Sequence, residues 1–200
     1  MRKIILIITF IIFFSCRKET KKQNINTLYY PSKEYFFNSN IVKVELENSK
    51  TNFKRITDLV SDIHSVDSIP YVELIDNNIL RKIILLRNDS NPIRLRNKLE
   101  ITEDSIISDK IYPINLLYEI LKKYYLNNGA IINYPESAQK VYVEIEIDTS
   151  KNGHILKKSL SNLVRTFDKI NSQHLDTLQL RVTLSYFHQI PPPPQPPNYE

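Results

Sequence analysis

One cysteine, two glycines, one methionine and no tryptophan occur in 200 residues, and each scarcity excludes something. A single thiol, Cys16, forbids an intrachain disulfide, so the folded part must be held by its apolar core. Gly129 and Gly153 stand far apart. That removes the glycine-rich dinucleotide turn and the phosphate loop, which need several glycines together so that backbone amides can approach a phosphate. The GxSxG elbow of serine hydrolases is excluded for the same reason. Histidine is sparse as well: His64, His154, His174 and His188 never fall at the HxxxH or HExxH spacing that sets two imidazoles on one helix face. His64 suits a helix end, where a cation meets the negative end of the dipole, and His154 follows Gly153 in a turn. No catalytic set, metal site or cofactor is expected, and the chain reads as a non-enzymatic protein.

What is present begins at the N-terminus. Arg2 and Lys3 precede an apolar stretch, residues 4–14, broken only by Thr9. It is too short to cross about 30 Å of hydrocarbon, which takes roughly 20 apolar residues. A basic start, a short apolar segment and a small residue before the cut describe a cleaved export signal. Cys16 follows Ser15 at the end of that stretch, an arrangement that resembles the lipobox of bacterial lipoproteins. The resemblance implies that the thiol receives diacylglycerol and that Cys16 becomes the mature N-terminus. The residue three before the cysteine is Phe13, where Leu is commonest. Each buried acyl methylene adds roughly 0.8 kcal/mol, so two or three chains hold a protein firmly on a bilayer. The expected location is the cell envelope, on the periplasmic face of the outer membrane, with the cell surface as the alternative.

Removing residues 1–15 takes away Arg2 and Lys3 and no acid, so the net charge falls from +5 to +3. The remaining basic cluster, Arg17, Lys18, Lys21 and Lys22, sits beside the lipid. A solvated tether accounts for it, and attraction to anionic headgroups is the second reading. A nucleic-acid partner is not expected, because that would need a basic face with groove-reading elements.

The pattern predicts a lipidated tether over residues 16–38, one α+β domain over 39–190 and a proline-rich tail over 191–200. Within the tether, residues 29–37 carry Tyr29, Tyr30, Tyr35, Phe36 and Phe37, which are expected to pack on the domain. Residues 41–47 alternate, with Val42, Val44 and Leu46 against Lys43, Glu45 and Glu47, as a half-buried strand does. Phe53, Ile56, Leu59, Val60 and Ile63 recur at helical spacing behind Thr51 as N-cap. Two β-rich runs flank Asp76, Asn77 and Asn78, which favours a hairpin because Asn accepts left-handed angles; a helix through 79–87 is the alternative. Strands are expected at 95–102 and 105–111. A helix should follow from Pro113 with a stripe of Leu117, Ile120, Leu121 and Tyr124, and Gly129 should cap it. Residues 141–147 form the clearest strand, with Tyr142, Glu144 and Glu146 on its solvated face. Glu144 and Glu146 could form a carboxylate dyad, but an outer face is the simpler reading. Leu156, Leu160, Leu163, Val164, Phe167 and Ile170 mark a second helix, with Lys157 and Lys158 on its polar side. Leu178, Leu180, Val182, Leu184 and Tyr186 mark a last strand. The expected fold is a small mixed or antiparallel sheet with helices packed on one face.

Pro191, Pro192, Pro193, Pro194, Pro196 and Pro197 surround Gln195 near the C-terminus. Proline has no amide hydrogen to extend a sheet, so this run favours polyproline II. It reads equally as a stiff end or as a docking peptide for an envelope protein with an aromatic groove.

Residues 98–187 resemble the periplasmic domain of ExbD-like biopolymer-transport proteins. The resemblance is carried by Lys98-Leu99-Glu100-Ile101-Thr102-Glu103-Asp104-Ser105-Ile106-Ile107 as a hairpin, Leu117 to Tyr125 as a helix, and Val141 to Asp148 as a strand. A weaker similarity to the TonB C-terminal domain rests on Tyr134-Pro135-Glu136-Ser137-Ala138 followed by Val141-Tyr142-Val143-Glu144. These resemblances imply an α+β fold and a place beside an energised transport complex. ExbD proper has an uncleaved transmembrane helix with a functional aspartate; this chain has neither, so proton-coupled work is not implied. The resulting expectation is a lipid-anchored binding or scaffolding module. A transport accessory and an enzyme with a dispersed site are the alternatives.

Overall fold

The computed structural model describes residues 25–46, 51–87, 95–174 and 177–186. The export signal, Cys16 and the proline run lie outside the described residues. The elements in chain order are β1 (Asn26–Tyr30), α1 (Lys33–Phe37), β2 (Ile41–Lys43), α2 (Phe53–Ser65), β3 (Ile69–Asp76), β4 (Ile79–Leu86), β5 (Lys98–Ile101), β6 (Ser105–Ile107), β7 (Ile111–Pro113), α3 (Leu117–Leu126), β8 (Tyr142–Ile147), α4 (Gly153–Asn171) and β9 (Val182–Tyr186). They form one mixed sheet in the order β2-β3-β4-β9-β8-β5-β6-β7, with β1 also paired to β4. The fold is α+β.

Asn77 and Asn78 both take positive φ (49° and 60°) and close the β3–β4 hairpin in two residues. Two left-handed residues match the twist of the flanking strands, so 79–86 is a strand and not a helix. Along β4, the edge away from β3 is shared: β1 runs parallel to Ile79 through Ile83, and β9 runs parallel to Leu85 and Leu86. The folded domain therefore includes residues from Asn26 on, earlier than the expected start at residue 39. Asn26 to Tyr30 belong to the sheet because Thr27, Leu28, Tyr29 and Tyr30 complete part of an otherwise open edge, with Tyr30 buried against Phe167. Phe36 packs on Tyr29 and Tyr71, and the Lys82 ammonium lies over its ring. The expected aromatic packing of this segment is thus present for Tyr29, Tyr30 and Phe36, whereas Tyr35 and Phe37 are exposed.

The long helices bury the apolar stripes that define them, except that Leu59, expected in the stripe of α2, is exposed because it lies off the side that meets the sheet. Phe53, Ile56, Val60 and Ile63 of α2, Leu117, Ile120, Leu121 and Tyr124 of α3, and Leu156 through Ile170 of α4 enter one cluster. They meet Val72, Ile83, Leu99, Ile101, Val143, Ile145 and Val182 from one sheet face. Phe36 and Ile84 are buried outside that cluster, so α1 lies on the opposite face, over β1, β3 and β4.

Two strand–helix–strand units become visible only in three dimensions. β2 and β3 are parallel across α2, and β8 and β9 are parallel across α4. Their sequences run side by side: Val42-Lys43-Val44-Glu45-Leu46 with Val141-Tyr142-Val143-Glu144-Ile145, and an Asn at the start of each helix. The helix starts are joined reciprocally, Phe53 N–H donating to Lys151 O (2.7 Å) and Gly153 N–H to Thr51 O (3.1 Å), about an Asn52–Asn152 bridge. Asn52 and Asn152 are the N-caps, accepting from the Arg55 and His154 amides. Thr51, the residue expected to cap α2, instead offers its carbonyl to the other unit.

Other boundaries shift locally. β2 stops at Lys43, and Val42 is exposed because β2 is an edge strand; Val44 and Leu46 are buried as expected. Residues 95–97 are a helical turn, and β7 adds a strand ending at Pro113, so α3 begins at Leu117. Gly129 (φ 79°) lies beyond the end of α3, behind Asn128 (φ 46°). The cap chemistry there belongs to Asn127, whose side chain donates to Ile131 O and Pro135 O and accepts from the Ile131 amide.

Candidate functional site

Strand alternation places Lys98 and Glu100 of β5 beside Tyr142, Glu144 and Glu146 of β8, opposite the core residues Leu99, Ile101, Val143 and Ile145. The register aligns Lys98 with Tyr142 and Glu100 with Glu144, and Glu144 with Thr183 on the other side. Among the described residues, no long helix covers this part of the sheet face. Glu144 is nevertheless only 4% exposed, which corrects its expected place in solvent. β8 is a central strand with a neighbour on each side, and the Lys98 ammonium contacts the Glu144 carboxylate directly. Lys98 also reaches Glu100 (3.3 Å).

This cluster carries three carboxylates and one ammonium, and its protonation reflects that imbalance. Glu146 is pushed up to about 7, first by burial and then by the neighbouring Glu100 and Glu144, against the pull of Lys98. Glu100 is, after burial, the neighbour that contributes most to that rise. Burial works against the charge of Lys98, but Glu144 and Glu100 outweigh it and raise its pKa. The paired glutamates of β8 were visible in the sequence. Glu100 and Lys98 were not assigned to them, because only the parallel β5–β8 pairing brings them alongside.

Beyond Glu146, the strand ends open into an acidic cleft of about 520 Å³ lined by Thr102, Glu103, Asp104, Glu146, Ile147, Asp148 and Thr149. Crevices outside the carboxyl ends of parallel strands are the common place for ligands in open sheets. Asp148 is held below the usual carboxylate range by hydrogen bonds from the Ser150 hydroxyl and amide, and Asp104 by the hydroxyls of Ser105 and Thr102. Asp104 and Asp148 thus keep their negative charge through neutral pH, while Glu146 is partly protonated there.

A second cleft, about 390 Å³, lies where α1, β4 and the starts of β8 and β9 converge. Tyr35, His64, Arg87, Tyr142, Gln179 and Arg181 are among its lining residues. His64 occupies the last turn of α2 as expected, with Nε2 3.1 Å from Leu85 O. His154 is in the first turn of α4, not in a turn before it, and His174 closes the helical turn after α4. His188 is outside the described residues.

A further polar network lies within the helix-bearing face. Arg81, 6% exposed, donates through Nε and Nη2 to Asp168 Oδ2 (2.9 Å each), and the Tyr30 hydroxyl donates to Asp168 Oδ1 (2.5 Å). It ties β1 and β4 to α4, and nothing in its chemistry points to turnover. Among the described residues, no group of three or more His, Cys, Asp or Glu is placed to hold a metal ion, and no helix is long and apolar enough to cross a membrane. No family model matches this chain, and no curated protein or solved structure matches it either.

Proposed function

We propose that this chain is a lipid-anchored cell-envelope protein whose folded domain is a binding or scaffolding module rather than an enzyme. The anchor rests on Cys16 and the export signal before it. The binding reading is carried by one observation: α2, α3 and α4 all pack on one sheet face, while the opposite face of β5 and β8 carries charged side chains flanked by two clefts. A face with that much charge and concavity suits a polar partner, with the acidic cleft favouring a cationic segment. The proline run offers the same partner, or another, a second handle.

Two experiments test this. Fatty-acid labelling should be lost in Cys16→Ala; labelling as in the unaltered chain would remove the anchor. Partners captured by the full lipidated chain from detergent-solubilised membranes should be lost with Glu146→Arg and kept with Lys158→Glu, on the outer side of α4. Equal capture by both variants would sink the face as the binding surface.

A second reading has an observation of its own in its favour. Residues 98–186 run three antiparallel strands, helix, strand, helix, strand, which apart from the added β7 is the order that the resemblance to ExbD-like periplasmic domains implies. An accessory role beside an energised transport complex is supported to that extent, and recovery of proton-channel components in the same capture would favour it.

A further inference from the structure

The second cleft has a chemistry distinct from the acidic one. Among the described residues that line it, none is acidic, while Arg181, Arg87 and His64 supply cationic or ionisable nitrogen, and Tyr35, Tyr142 and Ser32 supply hydroxyls. Arg181 is already oriented. Its Nη2 donates to Gln179 Oε1 (3.1 Å), and its guanidinium carbon lies 5.6 Å from the centre of the Tyr142 ring. It makes no ion pair with a described carboxylate, so most of its five N–H donors remain for a ligand. A guanidinium held in this way matches a planar or tetrahedral oxyanion in two-point contact, and less freedom is lost on binding than with a lysine. Gln179 is placed by its own backbone, whose carbonyl accepts from the buried Tyr125 hydroxyl (3.0 Å).

The cleft exists because of the topology. β1 leaves the β4 edge after Tyr30 and β9 joins it at Leu85, so the chain departs through Pro31 and Ser32 at one side and arrives through Gln179 and Arg181 at the other. Ligand crevices form where a sheet edge divides in this manner.

We propose that this cleft is an anion site that takes a phosphate group, with Arg181 as its principal contact and the Tyr35 and Tyr142 hydroxyls as further donors. The inference rests on the reading of the domain as a binding module and is independent of the lipid on Cys16. A phosphate can come from a soluble ester or from a phospholipid headgroup. Covalent geometry allows the second, since the nine steps from Cys16 to Ile25 reach at most about 30 Å.

The test uses the full chain in neutral detergent micelles, titrated with inorganic phosphate and with glycerol phosphate by calorimetry and by nuclear magnetic resonance of the tyrosine rings. Binding should saturate, and Arg181→Gln should weaken it about tenfold or more, the loss expected for one charge-assisted contact. Arg55→Gln, an equal charge change on the outer side of α2, should leave binding unchanged. Arg181→Lys should fall between, and it stands in for the glutamine variant if that one fails to fold. Nanodiscs of phosphatidylcholine, whose zwitterionic headgroup carries a phosphodiester, compared with the phosphate-free micelles then separate the sources. Weaker phosphate binding on the discs assigns the site to headgroups, and equal binding assigns it to soluble esters. Absence of saturable binding, or equal weakening by Arg181→Gln and Arg55→Gln, overturns the site. Partner capture surviving that outcome would leave the module reading standing, and the converse result would leave the anion site standing.

Discussion

Gly153→Ala should destabilise this protein far more than one methyl group ordinarily does at the start of a helix. Gly153 is the first residue of α4, and its amide hydrogen bonds Thr51 O in the reciprocal joint between the two helix starts. A Cβ built there falls 2.4 Å from Leu46 O and 3.2 Å from Ile56 Cδ1. The first contact is with backbone, which cannot swing aside, and nearly an ångström must be found by moving either α4 or the 44–46 segment. Helix propensity favours Ala over Gly by up to about 1 kcal/mol in a helix interior, and less at its first residue. Overpacking against fixed neighbours costs about 1–3 kcal/mol and more when backbone must shift. The steric cost prevails, and the net should be about 2 kcal/mol of destabilisation. For a domain of this size that lowers the melting temperature by about 4–8 °C. Differential scanning calorimetry of the two proteins measures it, with Ser159→Ala on the same helix as a control expected within about 0.5 kcal/mol. A Gly153→Ala protein melting at or above the unaltered temperature would show that the helix starts are not in the described contact.

The remaining predictions concern charge. Glu146 ionises near 7 in the fold against an ordinary 4.5, so between those values the folded state keeps a proton that the unfolded chain releases. Stability should therefore be greatest below pH 4.5 as far as this group is concerned and decline as pH rises to about 7. The decline is on the order of 1 kcal/mol once solvent screening of a partly exposed group is allowed for; Glu146→Gln should flatten it in urea titrations, and an unchanged slope would refute it. Asp168→Ala leaves Arg81 buried with only Asp76 at 3.8 Å, and should cost about 3 kcal/mol, whereas Tyr30→Phe should cost about 1. Reversal of that order in chemical denaturation would place the network's weight on the wrong member. Val143→Ala should cost about 1–3 kcal/mol by cavity formation, and Glu144→Ala a comparable amount because Lys98 loses its closest partner. A Glu144→Ala protein as stable as its parent would return that side chain to solvent.

The stripes of α2, α3 and α4, the alternation of β8 and the Asn77-Asn78 turn were legible in the sequence because each rests on local periodicity or local backbone preference. Their residues are apolar every third or fourth position, or every second, and no distant contact is needed to assign a face. β1 was not legible: its five residues earn their place by pairing with β4 some fifty positions away, and nothing near them in the chain announces that partner. The same holds for the capping role of Asn52, since choosing it over Thr51 depends on which residue's carbonyl the second unit requires to accept from the Gly153 amide. Periodicity likewise put Glu144 on the face away from the core, correctly, yet gave it to water. Whether an outward-facing side chain is wet depends on what stands on either side, and for Glu144 that is Lys98 on β5 and Thr183 on β9.

The division between the two levels follows from range. By itself the sequence determined the α+β class, the helix faces and the core membership of Val143 and Ile145, all set by forces acting within about two turns of chain. Tertiary structure alone decided the sheet order, the meeting of Asn52 with Asn152, the gathering of Lys98, Glu100, Glu144 and Glu146, and the two clefts. Each of those depends on parallel strands whose pairing partners are separated by a crossover, where the register is fixed by burial across the whole sheet and not by any neighbour in sequence.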